Sequence, residues 1–414
     1  MADGGAPSGS DGPSGDAAAR PLELRHGEAG GARWVAARHL TKHEVLEPGE
    51  AHLLAWRPAA VRGDPEAAAA ASAAAFLVAG QEVQAKVLEL FCQPPEEDAG
   101  ALYGAWRRGA LSAAAEVGEL TQVAAAARAA AAAHLNAFEL LDGRLALFEH
   151  CARFNHACAP GAEYCMQDGR IKVRTLRTFE PGEEVYISYL GGESLLSRPL
   201  RRSRLRERYL FDCGCCLCST PIDELAAVRC RSCGSRAAGP SCAACGAERP
   251  PGSEEEILVL ERQVAALAGR WEASAQQPEL AEALTPSVEG LLCESSALGL
   301  APHHVAHQRL NLLLLEMGIA CRSWREDAAE AGAAAAATPQ EPGEELRRLL
   351  EVWREVLRWF AALGPPLERC WGIFLAEAGF GLLSLLTAED APDDCKAEAG
   401  ELGRLLQEWL GRAP

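Results

Sequence analysis

Eight of the sixteen cysteines in this chain fall between Cys213 and Cys245, and their spacing is regular. Cys213-x-Cys215-x-x-Cys218 is followed by Cys230-x-x-Cys233 and Cys242-x-x-Cys245. A structural zinc takes four thiolate or imidazole ligands in a tetrahedron, and cysteines two or three residues apart can reach one ion together. The two C-x-x-C pairs supply a complete set, Cys230, Cys233, Cys242 and Cys245. Gly234 and Gly246 follow the pairs directly and permit the tight turn of a knuckle. A redox reading of these pairs is weaker, because no βαβ pattern surrounds them. Cys213, Cys215 and Cys218 supply three thiolates and need a fourth ligand from elsewhere, with Cys216 read as a free thiol. Stretches this short cannot bury a core, so the expectation is two structural zinc sites.

Composition narrows the setting. No basic segment followed by an apolar stretch opens the sequence, which argues against secretion, and the cysteine content then points to thiols in a reducing compartment, cytoplasmic or nuclear. No apolar run suits a bilayer span; the longest candidates, 67–79 and 123–133, are mostly alanine, and the second carries Arg128. The formal net charge of −18 repels a phosphate backbone everywhere but at the local basic run Arg198–Arg208. The same charge attracts lysine-rich protein segments, or simply keeps the chain soluble. The expected partners are proteins, with no direct nucleic acid and no membrane, and a monomer is expected.

The chain divides by pattern. Residues 1–20 are rich in Gly, Ser, Pro and Asp and are predicted to be disordered. An alanine-rich stretch over about 65–135 has helical spacing at Val83, Val87, Leu88 and Phe91. The polyalanine tracts at 67–75, 124–133 and 333–337 read as compositional. From Asn136 to Tyr189 the pattern turns to strands, with Arg170–Arg174 alternating and Val185, Ile187 and Tyr189 on one face. A tyrosine ending such a strand and facing inward either packs its hydroxyl against a partner or lines a site. Residues 252–414 are helical. Ile257, Leu260, Val264 and Leu267 keep one stripe, Leu310, Leu313, Leu314, Met317 and Cys321 a second, and Leu346 to Phe360 a third. Antiparallel helix pairs of this kind suggest a hairpin array with no clean repeat period. His303, His304 and His307 are read as a solvated helix face. Signatures of serine hydrolases, P-loop NTPases and zinc proteases are absent.

Four motifs then stand in a fixed order: Arg153-Phe154-Asn155-His156-Ala157-Cys158-Ala159-Pro160, Gly182-Glu183-Glu184-Val185-Tyr186-Ile187-Ser188-Tyr189, Tyr209-Leu210-Phe211, and the C-x-C-x-x-C group. Together they resemble the C-terminal half of a SET domain, the fold of protein-lysine methyltransferases. Gly31-Ala32-Arg33-Trp34-Val35-Ala36 resembles its opening, and Asn136-Ala137-Phe138 the Asn-Ser-Phe that begins its second segment. Arg202, Leu205, Tyr209 and Phe211 match the stretch that leads into its cysteines. With the helical C-terminal half, the chain looks most like the SET and MYND family. It departs from that pattern at three places: no MYND finger, Arg33 for the second glycine of the opening motif, and Gly161 for the asparagine after the core proline.

The resemblance implies an α+β fold. Its parts are a SET-type mixed β-fold with a pseudoknot over 21–212, with the helical insert, and a zinc-binding post-SET segment at 213–218. A zinc knuckle or ribbon at 228–248 and an α-helical, tetratricopeptide-like C-terminal domain at 252–414 complete it. The implied activity is transfer of a methyl group from S-adenosylmethionine to a lysine of a histone or non-histone protein. Tyr189 is the implied catalytic residue. Gly31, Ala32, Asn136, Phe154, Asn155, His156, Tyr189, Tyr209 and Phe211 would hold the cofactor, and Cys158 would be the fourth ligand beside Cys213, Cys215 and Cys218. Arg33 and Gly161 motivate a rival reading, a non-catalytic SET-fold scaffold with the helices as a partner-binding groove.

Overall fold

The computed structural model describes residues 20–26, 31–59, 64–90, 96–249, 253–273, 277–330, 342–363, 367–389 and 391–410. Apart from Arg20, the tail expected to be disordered lies outside them, as does the alanine tract at 333–337. The N-terminal half is built from short strands. β1 (Leu22–His26) pairs antiparallel with β2 (Ala32–Ala36), and β3 (Val45–Ala51) and β4 (Leu54–Trp56) follow. Four helices come next: α1 (Pro65–Val78), α2 (Gln81–Glu89), α3 (Glu96–Val117) and α4 (Val123–Asn136). The start of α1 is written in Asp64-Pro65-Glu66: the Asp64 carboxylate accepts from the backbone N–H groups of Glu66 and Ala67, and Pro65 fits the first turn.

The alanine tracts correct their compositional reading. Ala69 and Ala73 of α1, Ala110, Ala113 and Ala114 of α3, and Ala126, Ala129 and Ala130 of α4 are all buried and form the contact between these helices. Alanine here lets the helix axes approach closely. At the tightest point a Cβ on Gly109 would stand 2.5 Å from the Glu66 carbonyl oxygen.

The chain then returns to strands: β5 (Phe138–Glu139), β6 (Leu145–Leu147), β7 (Asn155–His156), β8 (Ala162–Gln167), β9 (Arg170–Thr175) and β10 (Tyr186–Ile187). Two small antiparallel sheets result, in the orders β3-β9-β8 and β4-β6-β5. β7 and β10 instead run parallel, with Tyr186 opposite Asn155 and Ile187 opposite His156. The segment before β10 also bonds to β2, Val185 N–H to the Trp34 carbonyl and Ala36 N–H to the Glu183 carbonyl. Among the described residues this is the one parallel pairing in an otherwise antiparallel set, the crossing expected of a pseudoknot. Phe148, Phe154, Ile171, Val173, Phe179, Val185 and Ile187 fill the core beneath it.

α5 (Arg198–Tyr209) and the short α6 (Cys216–Ser219) carry the chain to the hairpin of β11 (Val228–Arg229) and β12 (Arg236–Ala237). Six helices complete it: α7 (Ser253–Ala273), α8 (Pro278–Ala297), α9 (Val305–Glu330), α10 (Pro342–Leu363), α11 (Leu367–Thr387) and α12 (Asp393–Leu410). No helix among the described residues is long and apolar enough to cross a membrane. The stripes read from the sequence are the buried faces: Ile257, Leu260, Val264 and Leu267 on α7, and Leu346, Leu349, Leu350, Trp353, Val356 and Phe360 on α10. Each such side chain contributes about 1.5–3 kcal/mol on burial. The histidine reading is overturned. His304 and His307 are buried, His304 against Glu261 of α7, while His307 Nδ1 meets the Ser295 hydroxyl at 2.7 Å. His303 and His304 precede α9, where His304 Nδ1 accepts from the Ala306 N–H at 3.1 Å, and only His307 lies on the helix, so helical spacing does not apply to the set.

Candidate functional site

The parallel pairing of β7 and β10 sets Tyr189 just beyond His156. The Tyr189 N–H donates to His156 Nδ1 at 3.0 Å, and its hydroxyl donates to the Phe154 carbonyl at 2.6 Å. Tyr209, the last residue of α5, donates its own hydroxyl to the Tyr189 carbonyl at 3.1 Å. Leu210 then adopts left-handed backbone, φ 59°, which is uncommon for a residue with a branched side chain. That local strain turns the chain so sharply that Tyr209 and Phe211 wall the same space. The rings lie close: Tyr189 to Tyr209 4.9 Å, His156 to Tyr189 5.3 Å, His156 to Phe211 6.0 Å.

A cleft of about 370 Å³ opens on one side of this cluster. Gly31, Ala32, Asn136, Asn155, His156, Tyr189, Tyr209 and Phe211 line it, joined by Glu89, Leu90, Leu135, Ala152 and Arg153. Phe154 is the exception among the residues expected there. Its ring is buried in the core, and it serves the site through its carbonyl. The C-terminal ends of α2 and α4 converge on the cleft at Glu89 and Asn136. Helix C-termini carry partial negative charge, so this end of the insert favours a cationic ligand. The Asn136 amide is held by the Ala132 and Leu90 carbonyls, at 3.0 and 3.3 Å.

Both substitutions that motivated a scaffold reading leave this cleft open. Arg33 does not line it; its half-exposed side chain pairs with Glu184 at 3.6 Å, and Glu184 also accepts from the Asn155 amide at 2.7 Å. A Cβ on Gly31 would meet nothing within 4 Å. Gly161 also lies outside the lining. A Cβ there would stand 2.4 Å from the Phe179 ring, so glycine is the residue that this packing admits.

A second, narrower cavity of about 40 Å³ adjoins the cleft and shares Leu135, Asn136, Ala152, Tyr189 and Tyr209 with it. Its remaining walls are Ala137, Phe138, Cys151, Phe154, Tyr164 and Ser188. None of these side chains is charged: burial pushes the Cys151 thiol far up, and burial pushes the Tyr209 phenol up to about 12. Phe138 and Tyr164 were not singled out from the sequence. Phe138 follows directly on Asn136-Ala137, and its position in that motif was the available signal.

Cys158, Cys213, Cys215 and Cys218 gather so that their sulfurs lie within 4.8 Å of one another. Cys158 stands 3.9 Å from Cys213 and 3.6 Å from Cys218. Four thiolates at about 2.3 Å from one ion stand about 3.8 Å apart, so these residues fit a tetrahedral zinc. Cys216 is exposed and outside the group. Cys230, Cys233, Cys242 and Cys245 form a second such group, with 3.6 Å between Cys230 and Cys245 and 3.7 Å between Cys233 and Cys242. Its two turns are copies of each other: Gly234 and Gly246 both have φ 75°, and each returns its N–H to the carbonyl of the first cysteine of its pair. His156 connects the first group to the cleft. Its Nδ1 accepts from Tyr189, and burial holds the imidazole neutral, its pKa lowered to about 4. The proton therefore sits on Nε2, 3.3 Å from the Cys158 sulfur.

Residues 35–190 match the SET domain family, so the chain carries a SET domain. Three relatives place it further. N-lysine methyltransferase SMYD2 of Homo sapiens is 34% identical over 101 residues, 23% of either chain. SMYD2-B of Danio rerio is 35% identical over 92 residues, 21% of either chain. Histone-lysine N-methyltransferase SMYD3 of Mus musculus is 32% identical over 82 residues, 20% of this chain and 19% of that one. The chain is a SET-domain protein related to the SMYD family, and these matches span about a fifth of each relative's length.

Proposed function

We propose that this protein is an S-adenosylmethionine-dependent protein-lysine N-methyltransferase. The observation that carries the reading is the meeting of two cavities at Tyr189 and Tyr209, a larger one whose lining includes Glu89 and Arg153 and a smaller one without charge. The cleft residues suit the cofactor, which supplies a methyl group on a positively charged sulfur. Asn136 and Asn155 offer hydrogen bonds, Phe211, Tyr209 and His156 offer ring faces, and two helix C-termini offer negative potential. The narrow cavity suits a lysine side chain. A free lysine amine has a pKa of about 10.4, so reaching its neutral form at pH 7 costs about 4.6 kcal/mol. Walls without charge disfavour the ammonium and lower that cost. The Tyr189 hydroxyl, held by its bond to the Phe154 carbonyl at the junction of the two cavities, would orient the amine there.

The substrate in this reading is a protein with an exposed lysine in a basic setting, drawn by the charge of −18. The arginines of α5 do not form a free phosphate surface. Arg204 and Arg208 pair with Glu193, Arg206 with Asp212, and Arg198 and Arg202 bond to backbone carbonyls of the following loop. No disulfide joins the described cysteines, which supports action in the cytosol or nucleus. The test is calorimetric titration of zinc-replete protein with S-adenosylmethionine, followed by radiolabelled methyl transfer to core histones and a lysine-rich cytosolic extract. Saturable one-to-one binding and labelled protein are expected. No detectable binding would overturn the reading.

A further inference from the structure

Arg201 is fully buried, a rare state for an arginine. It lies on the inner face of α5, one turn before Leu205, and Leu205 packs directly against Cys158, Cys213 and Cys218. Its hydrogen bonds do not account for it. Nη1 donates to the Leu196 carbonyl, the nearest carboxylate oxygen of Asp223 is 3.9 Å away, and Nε and Nη2 are buried without a hydrogen-bond partner. Beyond Asp223, the groups its charge acts on are Cys158 and Cys218, which pack around Leu205 one turn along the same buried face of the helix.

We propose that Arg201 is the charge partner of the zinc centre formed by Cys158, Cys213, Cys215 and Cys218. Four thiolates around one Zn²⁺ leave a formal charge of about −2, which a protein interior does not tolerate without a cation or hydrogen-bond donors close by. Arg201 provides both, a fixed positive charge and two N–H groups with no other acceptor. His156 adds a third donor through Nε2. The arginine completes a set in which each buried group answers another: thiolates for the guanidinium, guanidinium for the thiolates. Groups that orient and neutralise metal ligands in this way typically change metal affinity by about 10- to 100-fold.

The inference rests on zinc at these cysteines, which the zinc content of the wild-type protein, two per chain expected, tests separately. The experiment is competition of full-length, zinc-loaded protein against a chromophoric chelator, with the Cys230–Cys245 site as internal control. Arg201→Met is expected to weaken one of the two sites about 10-fold or more and leave the other unchanged. Arg201→Lys, which keeps the charge but not the fork of N–H donors, is expected to weaken the same site less than Arg201→Met does. Arg201→Met holding both ions as tightly as wild type overturns the proposal. So does equal weakening of both sites, which would mark a general structural role. Should Arg201→Met not fold, the wild type decides through its arginine side-chain ¹⁵N spectrum, assigned with Arg201→Lys. The Arg201 Nε–H signal is expected to shift and exchange more slowly on zinc loading, and no change on loading overturns the proposal.

Discussion

Tyr189 is held from three directions, by the Phe154 carbonyl at its hydroxyl, by His156 at its amide, and by Tyr209 at its carbonyl. Only the first of these depends on the phenol oxygen. Tyr189→Phe therefore keeps the ring between cleft and channel and removes one hydrogen bond, a loss of about 1 kcal/mol of stability. Its effect on turnover should be far larger, because the hydroxyl is a polar group at the junction of the two cavities. A single oriented group acting where charge changes is worth about 100- to 1,000-fold in rate. Single-turnover methyl transfer should fall by that order, with the calorimetric affinity for S-adenosylmethionine within about threefold of wild type. An equal fall in affinity and rate would make Tyr189 a wall of the cleft and no more.

The post-SET segment shows how an element of low intrinsic stability is kept in place. Between Leu210 and Ser219 it has only the one-turn α6, and it relies on α5 arginines and on the cysteines. Cys158→Ser should lower bound zinc from two to one per chain, leave the Cys230–Cys245 site occupied, and loosen the segment that carries Phe211. Elemental analysis with hydrogen exchange over 209–219 would check this; full zinc in the mutant would mean that another group completes the tetrahedron. The cysteine spacing was legible in the sequence because metal geometry is local and strict. The helical stripes of α7 and α10 were legible because their apolar periods are long. The two-residue strands β5 and β7 were not picked out one by one, since pairing with distant chain, not alternation, defines them, whereas the alternation of Val185, Ile187 and Tyr189 did show β10. α8 was not read either: its buried Ala281, Leu284 and Val288 straddle Pro286. Arg201 could not be found from sequence, because it sits in a run of arginines whose other members reach the surface.

At the scale of the whole molecule, the N-terminal half and the C-terminal helices share one core. Leu195 and Leu225 join Val305, Leu312, Leu346 and Leu350 in it, and Ala159 and Leu217, neighbours of the zinc ligands Cys158 and Cys218, pack against it. Beside that core lies a buried polar junction, where the Ser197 hydroxyl at the start of α5 donates to Glu261 of α7 at 2.6 Å and His304 Nε2 stands 3.7 Å away. Burial pushes the Glu261 carboxyl up to about 7, opposed by the Ser197 hydrogen bond, helped by Asp223 and opposed by Arg201. Burial lowers His304 to about 3. The two act in opposite directions. Glu261 contributes stability that is full below its ordinary 4.5 and is lost as pH rises to about 7, because the folded state holds the extra proton there. His304 contributes stability that is full above its ordinary 6.5 and is lost as pH falls. Wild type should therefore show a flattened profile over much of this range. Glu261→Gln keeps an acceptor for Ser197 and removes only the carboxyl's share. Its stability relative to wild type should rise by about 3 kcal/mol between pH 4.5 and 7.5, a shift of about 2.5 units at 1.36 kcal/mol each. Urea unfolding at stepped pH would measure the difference, from which zinc loss at low pH drops out because both proteins share it. Parallel profiles would mean that Glu261 is ionised in the folded protein throughout, with Arg201 and His304 carrying its charge.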